Sequence, residues 1–172
     1  MDHQPLTSRN DVAQVFLEKS CALLSSDYLV KIQRCLERID DKDVWWRPNE
    51  ASNSIGNLML HLCGNVTMWI IGGVGRRPFE RNRQMEFDER RAIAAADLLA
   101  QLRSVVSEAE GVIRAVTSDE LLTRRHIQGY DVTVLEAIYH VVEHFGMHTG
   151  QIILLSKART GENLTLWRSA EP

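Results

Sequence analysis

Apolar residues recur every three to four positions along most of this chain, in stretches too long for strands. Val12, Val15, Phe16, Leu23 and Leu24 keep a period near 3.6, and Leu29, Ile32, Leu36 and Ile39 continue it. That period lines one face of a helix with side chains that need a partner surface. Strand signals are weak, with little alternation and no Asn-Gly hairpin. A first helix is expected from a cap at Thr7 or Ser8 to about Ile39. Ser52 to Ser54 open a second, which runs to Ile71 and stops at Gly72-Gly73-Val74-Gly75. A charged loop, about residues 72–91, leads to a third helix from Ala92 to Val116. Gly129-Tyr130-Asp131 reads as a turn, and a fourth helix runs from Val132 to Arg159 with Gly161 ending it. The tail is about residues 162–172. Four such helices predict an all-α fold, a four-helix bundle formed by one domain over residues 1–172.

The chain's 172 residues are enough for a real hydrophobic core. Net charge is −3, so no basic field exists to gather phosphates, and nucleic acid is excluded as the expected partner. The opening residues lack an apolar signal core, and no segment is expected to approach the ~18 uncharged residues of a membrane span. Cys21, Cys35 and Cys63 are odd in number and widely spaced. They form no disulfide framework and suit a reducing cytoplasm, which is the expected location. Trp45, Trp46 and Trp69, with the Gly72-Gly73 turn, place large apolar groups near helix ends and lead to the expectation of a homodimer.

The polar signal lies in histidines. His144 and His148 are four apart on the last helix, about 40° apart around its axis and ~6 Å apart along it. With His61 from the second helix they can reach one metal ion and leave an open coordination position. The competing reading is a set of partly buried histidines bonded to backbone or water. In the last helix the apolar stripe holds Val134, Ile138, Val141, Phe145 and Ile152. His148 lies within it, His144 at its edge and His140 outside. Helical phase therefore favours His144 and His148 as inward ligands and leaves His140 as a supporting donor or a surface-edge histidine.

Asn57 and Asn65 lie four residues either side of His61 and share its stripe. Buried polar groups must be satisfied, by a metal and its hydrogen-bonded surroundings or by a wet groove. Gln151 is close in phase to His144 and is expected to line the site. Cys63 points nearly opposite to His61 and is rejected as a ligand. His140-Val141-Val142-Glu143-His144 also fits the H-x-x-E-H protease pattern. Glu143 faces away from the apolar stripe, and only Glu162 and Glu171 remain downstream as a third ligand, so that pattern is set aside.

Ser54-Ile55-Gly56-Asn57-Leu58 running into His61-Leu62, then Gly64-Asn65, the Arg81, Arg83 and Glu86-Phe87 loop, and His144-Phe145-Gly146-Met147-His148-Thr149-Gly150-Gln151 form one constellation. It resembles the DinB/YfiT-like superfamily of metalloenzymes over nearly the whole chain. The resemblance implies helices in up-down-down-up order and one divalent metal, zinc or nickel foremost, held by His61, His144 and His148. It also implies a homodimer. Some members transfer low-molecular-weight thiols, such as bacillithiol, mycothiol or glutathione, to electrophiles.

Two functions of different class are therefore expected. One is a metal-dependent enzyme acting on a small molecule, with a low-molecular-weight thiol as co-substrate and Arg81 and Arg83 as contacts for its anionic groups. A hydrolase is a lesser form of it, since no general base stands out and Glu136 and Glu143 are taken to face away. The other is a non-catalytic metal-binding or stress-response bundle. An open cavity of several hundred Å³ beside the metal discriminates the first from the second.

Overall fold

The computed structural model describes residues 8–91 and 93–166. Thr7, Ala92, Glu171 and the end of the tail lie outside the described residues. Helix α1 covers residues 9–36. Ser8 caps it: its hydroxyl accepts from Asp11 N, while Asp11 accepts from Ser8 N. A wider π-type turn at Leu23–Tyr28 interrupts it, and it ends at Leu36, short of the expected Ile39. After the short α2 (Asp41–Val44) comes α3, residues 55–74, which closes in a second π-type stretch, Thr67–Val74. The helix therefore runs past the expected stop at Gly72, carrying both glycines through its last turn. Helix α4 (Arg83–Asp88) forms inside the expected charged loop. Helices α5 (Ala95–Arg114) and α6 (Val134–Thr160) complete the bundle. Gly161 ends α6 at φ 71°, the left-handed conformation that glycine adopts without a side-chain clash.

Contacts along the helices fix their directions. Tyr28 stacks on Phe145 and Cys35 lies beside Ser156, so α1 and α6 run parallel. Trp69 meets His140 while Leu58 shares a groove with Leu154, so α3 runs opposite to α6. Ser25 donates to Glu110 and Arg103 donates to Gln33, so α5 runs opposite to α1. The order is up-down-down-up. Helices α1 and α3 each pack on both α5 and α6. Leu24, Ile32, Met59, Leu102, Ile138 and Phe145 are fully buried at the centre.

Three expectations need correction. Helix α3 is long and apolar enough to cross a membrane by length and composition, with a mean hydropathy of 1.2. Residues 51–75 contain no Asp, Glu, Lys or Arg. It is a bundle core helix here, 72% buried among the others. Next, β1 (Arg124–Ile127) and β2 (Tyr130–Thr133) pair antiparallel where only a turn was expected. Gln128 and Gly129 form the two-residue connection, both at positive φ (53° and 87°), as a type I′ turn needs. Finally, the tail packs: Leu164 and Leu166 are buried.

The tryptophans behind the dimer expectation are satisfied within one chain. Trp45 donates to Ile93 O at 2.9 Å, Trp69 donates to Gln128 Oε1 at 3.0 Å, and Arg159 lies over Trp46.

Candidate metal centre

Ser54 sets the start of α3 through a reciprocal cap with Asn57. From there, residues 57, 61, 65 and 69 fall in line along the groove between α3 and α6. His61 enters from α3, and His144 and His148 from α6. Nε2 of His144 lies 3.2 Å from Nε2 of His61 and 3.2 Å from Nε2 of His148. Three imidazoles bound to one tetrahedral ion at about 2.0–2.1 Å place their nitrogens about 3.3–3.4 Å apart. All three candidate ligand atoms lie within 4.8 Å of one another.

The outer nitrogens decide whether an ion fits. Nδ1 of His61 is 2.8 Å from Glu86 Oε2. Arg81 Nη2 sits 3.2 Å from the same nitrogen, but the ionised carboxylate is nearer and can only accept. Nδ1 of His61 therefore carries a proton, and in the neutral ring Nε2 presents a lone pair. Nδ1 of His148 donates to Gln151 Oε1 at 2.7 Å, which leaves its Nε2 bare too. Both lone pairs converge on His144, whose Nδ1 is buried without a partner. A proton on His144 Nε2 can serve only one of them. Burial, and then the neighbouring His148 and His61, push the His144 pKa down to about 3, so the ring is neutral. A cation among three lone pairs satisfies this arrangement, and the donor set fits a divalent metal.

A clasp holds the first of these rings. The crossover between α3 and α5 turns back along α3 and delivers Glu86. Burial raises the pKa of Glu86, but hydrogen bonds from His61 and Arg81 outweigh this and hold it below the usual value. Arg81 grips both carboxylate oxygens, Nε to Oε1 at 2.6 Å and Nη2 to Oε2 at 2.7 Å. The pair fits because residue 64 is glycine: a Cβ there would collide with Glu86 Oε1. Asn57 Nδ2 donates to the carbonyls of Glu86, Phe87 and Glu89, and Arg47 binds Asn57 Oδ1. The Phe87 ring then covers His61 at 4.7 Å between centroids.

Beside the triad opens a cavity of about 570 Å³. His61, Asn65 and Trp69 line it from α3, and Glu136, His140 and His144 from α6. Arg81 and Arg83 form another side, and Gln128, Tyr130 and Val132 of the hairpin close the far end.

Residues 11–169 match a family described as protein of unknown function, DUF1572. The chain belongs to this family. DUF1572 is part of the DinB-like fold group. The crystal structure of a DinB-like protein from Bacillus cereus ATCC 10987, at 2.01 Å resolution, superposes with a TM-score of 0.67. It is 16% identical, and the match covers 88% of this chain and 94% of that one. At that identity the likeness is one of fold. No curated protein matches the chain.

In this DUF1572 chain the three expected ligands meet, and Gln151 supports His148. Asn65 lines the cavity, nearly buried, with Oδ1 unpartnered. Asn57 does not line it; the amide anchors the crossover instead. His140 is no donor to His144: their rings are 5.4 Å apart, and His140 packs on Trp69 at 4.3 Å. Arg81 is not free for a substrate anion, because Glu86 occupies its guanidinium and its side chain is 4% exposed. Arg83 keeps that role open, over Phe87 at the cavity wall. Glu136 lines the cavity, although helical phase set it aside. Glu143 is exposed, and burial pushes the Cys63 thiol up to about 12. Glu86 was missed as a site residue. Periodicity cannot reveal a contact made by a folded-back loop; only the position of Glu86-Phe87 in the family constellation pointed to it.

Proposed function

We propose that this protein is a divalent-metal enzyme that transfers a low-molecular-weight thiol to an electrophile. The observation that carries the reading is the convergence of the His61, His144 and His148 Nε2 atoms, with His61 and His144 lining an open cavity. A storage or purely structural site needs no such access. When bound, a divalent ion would supply Lewis acidity and hold a thiol as thiolate at neutral pH.

The groups at the triad favour thiol transfer over hydrolysis, since the free carboxylate of the cavity, Glu136, stands two helical turns from His144. Glu86 is fully engaged by His61 and Arg81, so it orients a ring rather than taking a proton from water. Cys63 is the cysteine nearest the site in sequence, and its raised pKa keeps it a thiol and a poor nucleophile. The reacting sulfur must therefore arrive with the substrate. Arg83 offers a cation to the carboxylates that such thiols carry.

The test begins with metal analysis of protein purified without chelators or a histidine tag. Metal-loaded protein is then incubated with glutathione, bacillithiol or mycothiol and a haloaromatic or epoxide. Conjugation faster than with His148→Ala is the expected result. Equal rates with all three thiols would remove the transferase reading and leave a metal-binding bundle.

A further inference from the structure

The cavity is electrically polar along its length. At the triad end, the Arg83 guanidinium lies 4.9 Å from the Phe87 ring, which itself covers His61. Among the described residues no carboxylate pairs with Arg83. At the hairpin end stands Glu136, two helical turns before His144. Its Oε2 accepts from Thr133 N and Oγ1, which leaves Oε1 free. The Thr133 hydrogen bonds and the nearby charge of Arg124 keep this carboxyl ionised at neutral pH. Trp69 and Tyr130 stand beside it with ring centroids 6.3 Å apart, aromatic surface of the kind that favours a cation. Midway, one turn along α3 from His61, Asn65 is 4% exposed with Oδ1 unpartnered. A buried carbonyl oxygen without a donor at a cavity wall points to a ligand N–H.

We propose that the cavity takes a short peptide or peptide-like molecule, its carboxylate on Arg83, an amide N–H on Asn65 and its ammonium on Glu136. Eight residues of α6 separate Glu136 at the hairpin end from His144 at the triad end, where Arg83 stands, a rise of about 12 Å, so a ligand that touches both ends must span on the order of 10 Å. An α-amino acid, whose charges sit on adjacent atoms, cannot reach both; a molecule of two or three residues can. The proposal rests on the cavity being the substrate site, and it narrows the thiol to one built on a peptide.

The experiment is calorimetric titration of the full-length protein, metal-loaded and chelator-treated, with triglycine, N-acetyl-triglycine and triglycinamide. Triglycine should bind about tenfold tighter than either blocked form, in both preparations. Arg83→Gln should erase the preference over triglycinamide only. Glu136→Gln should erase the preference over N-acetyl-triglycine only. Glutamine still serves a capping box, so that variant keeps the start of α6. Equal affinities for the three probes, or no triglycine binding at tens of millimolar, would overturn the proposal. The two readings fail separately. Absence of stoichiometric metal defeats the metalloenzyme but leaves peptide selectivity in the chelator-treated arm. A metal-loaded protein blind to the peptide termini defeats only the peptide ligand.

Discussion

His144 concentrates the residue-scale physics of this protein. Its pKa is held near 3, against an ordinary value of 6.5, by burial and then by the neighbouring His148, His61 and His140 rings and Arg81. The unfolded chain therefore binds more protons than the folded one between those values, and stability falls as pH falls through that window. His148 and His140 shift in the same direction. Chelator-treated protein should unfold at lower urea at pH 5 than at pH 7, and His144→Gln should flatten part of that slope. An unchanged midpoint would mean that the cluster is not buried as described. Ligand and supporting roles separate in a second measurement. His148→Ala should lose stoichiometric metal, whereas His140→Ala, which removes a ring resting on Trp69, should retain it. The reverse pattern would overturn the assignment. Glu86→Ala should weaken metal binding by roughly 10–100-fold, because His61 loses the group that fixes its tautomer. Competition with a coloured chelator reads this, and Glu86→Gln, which keeps an acceptor, should lose less.

Among the elements, α3 does the most to organise the site, and its glycines show how. Gly64 admits the Arg81–Glu86 pair, and Gly73 admits Ile127 of the hairpin. In Gly64→Ala the new methyl group meets the far end of the flexible Glu86 side chain rather than backbone. The helix then gains up to about 1 kcal/mol of propensity while the clasp is pushed off His61. Thermal stability should stay close to that of the parent, and metal affinity should fall as far as in Glu86→Ala. A loss of both together would show that the crossover holds the fold and not just the ring. The hairpin makes a related point about what a sequence displays. Its strands are four residues each, and its turn is Gln-Gly rather than Asn-Gly, so neither alternation nor turn chemistry announced it. The helices were announced by apolar periods sustained over several turns, and Ser8, Ser54 and Gly161 marked ends that hold in the structure.

Across the whole molecule the bundle buries Cys21, Cys35 and Cys63 and raises each thiol pKa, first by desolvation. Native protein at pH 8 should resist a disulfide reagent, and all three thiols should react in denaturant. Rapid reaction of one thiol in the native state would reopen a role for a protein sulfur. The same packing explains α3, which has the composition of a membrane span yet serves as a core helix, since α5 and α6 supply its apolar surroundings. The sequence by itself determined the all-α class, the four long helices and the inward phase of His144 and His148, because these follow from helical repeats acting over a few residues. The tertiary structure alone decided that Glu86 meets His61 across 25 positions, that Arg81 is spent on that carboxylate, and that Glu136 and a hairpin close the cavity. Those contacts depend on where a crossover and a short hairpin come to rest against a completed bundle, and no local period encodes that.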